Sequence, residues 1–160
     1  MPMVQRASVV ARGVTDLVLV ELAGHRLGLL AGDIREILPA LTLVPIPEAS
    51  GAIEGLALVR GAMIPVIDGR KRFGLPARPM EPADHLLVFR FGERTIAVHV
   101  DRVLGLVRCR VDAIDDLGSP VAPGAVGIAT SSESSVVVHD VSVLLPMHET
   151  GPALAPTDHP

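Results

Sequence analysis

Short apolar runs rich in valine and isoleucine recur along this sequence, with Gly, Pro, Asp or Arg between them. Runs of about four to eight residues with this composition favour β-strands over helices. They predict an all-β chain with little helix, and strands near Leu17–Leu22, Arg26–Leu30, Ile34–Leu38, Leu56–Val59, Met63–Ile67, Leu86–Phe91, Thr95–Val100, Leu104–Arg108, Ala125–Ala129 and Ser135–Val138. Two stretches are compatible with either a strand or one turn of helix: Asp33–Leu38, with Asp33 as the N-cap, and Asp140–Leu145.

An internal repeat relates the two halves of the chain. The stretch LVLVELAGHRLGLLAGDIREIL (Leu17–Leu38) parallels LLVFRFGERTIAVHVDRVLGL (Leu86–Leu106), and each half later contains a strand that ends in Asp, at Met63–Asp68 and Val136–Asp140. Chance similarity among Val-rich strands is the alternative explanation. The repeat predicts two similar units of about five strands each, and two packed five-stranded barrels satisfy that strand count while leaving no exposed sheet edge.

The Pro-rich stretch Leu75–Pro82 is the expected connector between the two units. We therefore predict a single domain over residues 15–146, divided into subdomains of about 15–80 and about 84–146. Residues 1–14 and the Pro-rich residues 147–160 have no strong pattern and are expected to be flexible.

The composition excludes several classes of partner. The chain has no Trp or Tyr, only three Phe, and a formal net charge of −4. Nucleic-acid binding depends on aromatic platforms and clustered Lys and Arg, so nucleic acid is not expected as a partner. The first residues lack the apolar core of a secretory signal, and the apolar runs are too short to span a membrane. With a single cysteine, Cys109, which cannot form an internal disulfide, these features predict a cytoplasmic protein with no direct membrane insertion.

Candidate catalytic or metal-binding residues form no recognisable constellation in the sequence. His99 and Asp101 lie two apart on a predicted strand and so share a face, but two ligands fall short of the four that a structural zinc site needs. Cys109 is expected to face inward between the outward-pointing Arg108 and Arg110. We predict no catalytic residue, no metal and no cofactor. The alternative is a small hydrolase that uses His99 and Asp101.

The stretch GLALVRGAMIPVIDGRKRFG (Gly55–Gly74) resembles the signature of the CheW-like family, which is close to G-x-x-N-L-R-G-x-x-x-P-[VI]-[VI]-D-L-R-x-x-[FL]. The matching positions are Arg60, Gly61, Pro65, Asp68, Arg70 and Phe73. Further segments that resemble the family are DIREIL at Asp33–Leu38, VPIPEA at Val44–Ala49 and IAVHVDRVLGLVRC at Ile96–Cys109. The resemblance covers about residues 15–146. Two positions depart from the signature: its Asn is Leu58 here, and the Leu after its Asp is Gly69.

This resemblance implies two intertwined five-stranded SH3-like barrels with a groove between them, and a role as an adaptor in bacterial chemotaxis. In the family, the groove accepts the cytoplasmic hairpin tip of a chemoreceptor (a methyl-accepting protein), and the outer surfaces contact the regulatory domain of a CheA-type histidine kinase. The matching residues expected to bind receptor or kinase are Ile34, Glu36, Ile37, Arg60 and Gly61, and those expected to be structural are Pro65, Asp68 and Asp101. Such a protein would be recruited to receptor arrays at the inner membrane. An adaptor of a non-flagellar pathway, such as pilus motility or development, fits the same sequence.

Several of these residues also have a purely structural explanation. Arg60 could simply solubilise a hairpin turn, and Glu36 could pair with Arg35 or Lys71 as a solvated charge. Asp68, at the end of a strand and before a glycine, is a natural turn residue.

Overall fold

The computed structural model describes residues 13–47, 51–113, 125–130 and 134–140. Within these ranges the elements are β1 (Gly13–Leu22), β2 (His25–Leu30), β3 (Ile34–Pro39), β4 (Ile53–Val59), β5 (Ala62–Asp68), α1 (Gly69–Arg72), β6 (His85–Phe91), β7 (Arg94–Val100), β8 (Arg102–Ala113), β9 (Ala125–Thr130) and β10 (Ser135–His139). All ten predicted strands are confirmed. In the stretch Asp33–Leu38, Asp33 ends a 3-10 turn at Ala31–Asp33 and the strand begins at Ile34. Residues 141–145 and nearly all of the two predicted flexible segments lie outside the described residues.

The strands form two five-stranded sheets, and each sheet takes strands from both halves of the chain. The first sheet, which we call the barrel, is closed, with neighbouring strands in the order β1-β2-β10-β9-β8 and with β8 paired back to β1. The second sheet has the order β3-β6-β7-β5-β4. Strand pairs are antiparallel except β10–β2 and β5–β7, which are parallel. The prediction of an all-β fold with two five-stranded units and little helix is confirmed.

The internal repeat is visible in these strand orders, because exchanging β1–β5 for β6–β10 converts one order into the other. The third strand of each repeat does not pair with the hairpin that precedes it. Instead, β3 pairs with β6, and β8 pairs with β1. Only Asp101 separates β7 from β8, and three residues separate β2 from β3, so the chain runs straight into the other sheet instead of folding back. The predicted division near residues 80–84 therefore does not coincide with the boundary between the two sheets.

Among the described residues, the edge strands β3 and β4 of the second sheet do not pair with each other, and a single bridge connects β4 to the segment after β3. Val44, after the end of β3, donates its N–H to the Leu56 carbonyl at 2.7 Å and accepts the Leu56 N–H at 2.9 Å. A Cβ added at Gly55 would lie 2.8 Å from the Val44 carbonyl oxygen, so the close approach of these two backbones requires a glycine at that position. The corresponding contact in the barrel is the longer β8–β9 ladder.

Three clusters of hydrophobic side chains, mostly aliphatic, make up the described core. One fills the barrel and one lies under the second sheet. The third lies between the two sheets, where Val18, Val20 and Leu22 of β1 pack with residues of β5, β6 and β7. Because burial of aliphatic side chains contributes about 1.5–3 kcal/mol each, this shared cluster fixes how the sheets pack against each other.

The helix α1 begins where β5 ends, between the two sheets. Asp68 caps it, since its Oδ1 accepts the backbone N–H groups of Arg70 at 3.0 Å and Lys71 at 3.3 Å. A Cβ at Gly69 would lie 2.5 Å from the backbone oxygen of His99 and 3.2 Å from Leu22 Cδ2. The departure from the family signature at Gly69 therefore coincides with an unusually close approach of α1 to β7 and β1.

Candidate functional site

A β-bulge at Arg35 sets the direction of the side chains on β3. The register passes from Ile34–Phe89 to Glu36–Val88 and Ile37–Leu87. Cross-strand partners share a face of the sheet, and both Phe89 and Leu87 belong to the cluster between the two sheets. Ile34 and Ile37 therefore both face the barrel: Ile34 packs on that cluster, and Ile37 remains 43% exposed.

The barrel contains the equivalent arrangement on β8. A bulge at Leu104 takes the register from Val103–Val20 to Leu106–Val18 across β1. Val103 packs on the cluster between the sheets, and Leu106 is 68% exposed. Ile34 and Ile37 on one sheet thus correspond to Val103 and Leu106 on the other.

We call these four residues, Ile34, Ile37, Val103 and Leu106, the junction surface. Each strand contributes one half-buried residue packed on the shared core and one exposed residue beyond it. The family resemblance indicated Ile34 and Ile37 of β3 but neither residue of β8. The internal repeat could have indicated these, because aligning the two repeats places β8 in register with β3.

Glu36 points to the other face of β3, where it meets Arg60. Arg60 Nη2 lies 2.7 Å from Glu36 Oε2 and Nε lies 3.0 Å from Oε1, which is a bidentate ion pair. The hydrogen bond from Arg60 holds the pKa of Glu36 below its ordinary value. The structure thus brings two predicted site residues together, and the partner of Glu36 is Arg60 rather than Arg35 or Lys71.

Arg60 occupies an unusual turn position. It joins β4 to β5 in a two-residue turn with Gly61, and both residues have positive φ, +51° and +82°. Such a turn favours Asn or Gly at its first position, and the positive φ is less favourable for an arginine. The Arg60 side chain is also 77% exposed despite its ion pair. Ala23, in the turn between β1 and β2, has the same conformation, with φ +50° before Gly24 at +84°.

Asp101 lies between β7 and β8, where the chain passes from the second sheet to the barrel, and it contacts three other segments. Its carboxylate accepts hydrogen bonds from Arg70 Nε at 2.9 Å, from Arg70 Nη2 at 2.6 Å and from the Ala23 N–H at 2.8 Å, with Arg78 Nη2 at 3.4 Å. Burial alone raises the pKa of Asp101, but the hydrogen bonds from Arg70 and Ala23 outweigh it and hold the pKa below the ordinary value. Asp101 thus joins segments that are distant in sequence, whereas Asp68 makes the local contacts that cap α1. Pro65, opposite Leu56, lies half-buried within β5.

A buried polar chain, which sequence reasoning missed, runs beside Asp101. Asp84, which is 2% exposed, accepts hydrogen bonds from Arg78 at 2.7 and 2.8 Å and faces His99 Nε2 at 2.7 Å. The other ring nitrogen of His99, Nδ1, faces Glu54 at 2.8 Å. Burial alone lowers the pKa of His99, but the hydrogen bonds and charges of Glu54 and Asp84 outweigh it and raise the pKa. His99 is therefore held between two carboxylates.

The arrangement offers little to catalysis or metal binding in the part of the chain that is described. The candidate pair His99 and Asp101 is not brought together, since His99 contacts Glu54 and Asp84. Donor atoms of Glu54, Asp68 and His99 lie within 4.8 Å of one another. His99 Nδ1 is already hydrogen-bonded to Glu54, and Asp68 caps α1, so these contacts account for the cluster.

Cys109 lies on β8 as the sequence indicated. The flanking Arg108 and Arg110 are 73% and 78% exposed, whereas Cys109 packs against the core of the barrel. Burial raises the pKa of its thiol, which is the opposite of what a reactive cysteine requires.

The chain is similar in sequence to one protein family and in fold to a solved structure. The sequence profile of the CheW-like domain matches residues 16–149. The crystal structure of the scaffolding protein TtCheW from Thermoanaerobacter tengcongensis is similar in fold, with a TM-score of 0.73 and 24% sequence identity over 82% of this chain and 92% of that chain. No curated protein sequence matches the chain.

Proposed function

The chain belongs to the CheW-like domain family, and from this premise we propose that it is a non-catalytic adaptor that couples chemoreceptors to a CheA-type histidine kinase in chemotaxis. The observation that supports this most is the junction surface. Its exposed members, Ile37 and Leu106, extend the apolar core between the sheets out to the surface on both sides. Contiguous exposed apolar surface is typical of interaction sites, and we propose that these side chains form one.

The junction surface suits a helical partner. Ile34 and Ile37 lie on the second sheet and Val103 and Leu106 lie on the barrel, and Ile34 and Val103 pack on the same cluster between the sheets. A helix with apolar residues on one face binds such a surface through anchors spaced three or four residues apart. We propose that the hairpin tip of the receptor binds here.

We propose that the Arg60–Glu36 pair supplies a separate polar contact. Glu36 directly precedes Ile37 on β3, so the ion pair lies on the opposite face of the strand from the apolar anchor. Glu36 receives two hydrogen bonds from a guanidinium that has five N–H donors, and the side chain stays 77% exposed. The remaining donors are available to a carboxylate or carbonyl group of the partner, and we propose that Gly61 permits its close approach.

Under the proposed function, the receptor would bring the protein to the membrane. No helix in the described residues is long and apolar enough to cross a membrane. Recruitment to the inner membrane would then depend on the cytoplasmic part of the receptor, and we propose that the adaptor works in the cytoplasm at receptor arrays.

The test is binding of a receptor hairpin fragment, encoded in the same genome, to the wild type and to Arg60→Ala and Ile37→Ala. We expect each variant to keep the wild-type unfolding temperature and to bind the fragment roughly tenfold more weakly. Arg90→Ala is the matched control, because Arg90 is an exposed hairpin arginine whose Nε donates to the carbonyl of Gly92 at 3.1 Å. Full affinity in the Arg60 and Ile37 variants would contradict the assignment of the site.

A further inference from the structure

An apolar cleft of about 620 Å³ lies beside the second sheet, between the segment that follows β3 and the Pro-rich connector. Leu41 and Leu43 line it from the first segment, and Met80 lines it from the connector. All three side chains also pack on the core cluster under the second sheet, so the core holds the apolar wall of the cleft in place. Its volume lies within the range of about 300–1,000 Å³ that is usual for small-molecule sites.

Two carboxylates, Glu54 and Glu81, are the only ionisable side chains among the described residues that line the cleft. Glu54 lies on β4, and its side chain is 19% exposed. Glu81 lies in the loop before β6, where its side chain is 59% exposed and pairs with Arg78 at 3.4 Å. One carboxylate is therefore shielded from water and the other is open to it, with aliphatic surface in the same cleft. Such a lining attracts a cation and disfavours an anion.

Glu54 is held in position but is only partly hydrogen-bonded. Its Oε1 lies 2.8 Å from His99 Nδ1, and Asp84 holds His99 from the other side at 2.7 Å. No hydrogen bond from the described part of the chain reaches Glu54 Oε2, and this atom stays accessible to solvent. Because His99 already fixes the orientation of Glu54, a ligand that donates to Oε2 does not need to order the side chain.

We propose that this cleft binds a linear aliphatic diamine. One ammonium group donates to Glu54 Oε2, the hydrocarbon chain lies against Leu41 and Met80, and the second ammonium group lies near Glu81. An ammonium group has three donors and no acceptor, so it suits a carboxylate, while the hydrocarbon chain suits the aliphatic wall. This site is separate from the proposed receptor contact, because Glu54 is near the start of β4 and Arg60 follows its end.

The experiment titrates the full chain with cadaverine, a linear diamine of five carbons, by isothermal titration calorimetry at low ionic strength. We expect one cadaverine to bind per chain, and pentylamine, which has a single ammonium group, to bind about threefold more weakly. Glu54→Gln keeps an acceptor for His99 but removes the charge, so it should bind cadaverine at least about tenfold more weakly. Glu81→Gln, at the exposed carboxylate, should bind it about threefold more weakly.

Two further variants separate the cleft from general effects of charge and stability. Glu93→Gln removes the same charge from an exposed glutamate in the turn between β6 and β7, outside the cleft, and should leave the affinity unchanged. Thr42→Lys leaves Glu54 intact and places an ammonium group of the chain itself at the cleft, since Thr42 is an exposed lining residue. We expect this variant to keep the wild-type Tm and to show no cadaverine binding. Thermal unfolding verifies that every variant is folded.

The remaining outcomes each refute the proposal. The wild type may fail to bind cadaverine, or Glu93→Gln may lose as much affinity as Glu54→Gln, which would show attraction to the net charge alone. Unchanged binding in both Glu54→Gln and Thr42→Lys would place the diamine elsewhere on the protein. Equal affinity for pentylamine and cadaverine would remove the role of Glu81, and displacement of cadaverine by an equal concentration of Ca²⁺ would identify a metal site instead.

Discussion

Replacing Gly69 with alanine tests how closely α1 is packed between the two sheets. The added Cβ would lie 2.5 Å from the backbone oxygen of His99, whereas an ordinary carbon–oxygen contact is about 3.3 Å or longer. The neighbouring Leu22 side chain, 3.2 Å away, can give way. The His99 carbonyl cannot easily do so, because β7 pairs with β6 on one side and with β5 on the other. The backbone must therefore shift by roughly 0.8 Å, the difference between the two distances.

Overpacking of this kind costs about 1–3 kcal/mol, and the alanine recovers about 0.4–1 kcal/mol by restricting the unfolded chain. We expect Gly69→Ala to lower the free energy of unfolding by about 1–2 kcal/mol and the Tm by roughly 2–8 °C. Urea and thermal unfolding followed by circular dichroism measure both quantities. Gly32→Ala is the control, since no atom lies within 4 Å of its added Cβ and its φ is not in the left-handed region, so it should be as stable as the wild type or slightly more stable. Wild-type stability in Gly69→Ala would refute the packing argument.

Two further predictions concern the polar groups beside the crossing. Asp101→Asn should lower the free energy of unfolding by about 1–3 kcal/mol, because it weakens the charged hydrogen bonds from Arg70, whereas Asp16→Asn, at an exposed ion pair, should leave urea unfolding unchanged. His99 has a raised pKa in the folded protein, so its stabilising effect is complete below the unfolded value of about 6.5 and is lost as the pH rises through the folded pKa. In urea unfolding from about pH 6 to pH 9, the free energy of unfolding should decline less in His99→Gln than in the wild type. The variant His25→Gln, at an exposed histidine, should show the wild-type decline. An equally steep decline in His99→Gln would refute the assignment.

Local sequence patterns predicted the strands because strand formation here depends on short Val- and Ile-rich runs. The internal repeat was also visible, since the hairpins β1–β2 and β6–β7 come from similar sequences. The resemblance to the family indicated both Arg60, in the Gly55–Gly74 signature, and Glu36, in the Asp33–Leu38 segment. Their direct contact, across 24 positions of sequence, was not predicted.

The orientation and the contacts of the site residues depend on strand pairings that a single sequence does not specify. Simple alternation along β3 would place Ile34 and Glu36 on one face and Ile37 on the other. The bulge at Arg35 reverses that arrangement, because a shift of one residue turns each following side chain to the opposite face. His99 likewise finds its two carboxylates 45 and 15 positions away, a distance at which charge patterns in the sequence carry no signal.

Ternary capture tests the central claim most directly. A receptor hairpin fragment is immobilised, and retention of the kinase regulatory domain is measured with and without this protein. We predict that the kinase domain is retained only when the adaptor is present, and that Arg60→Ala and Ile37→Ala reduce the retained amount while Arg90→Ala does not. Equal retention of the kinase domain without the adaptor, or binding of each partner alone but never of both together, would contradict the coupling function.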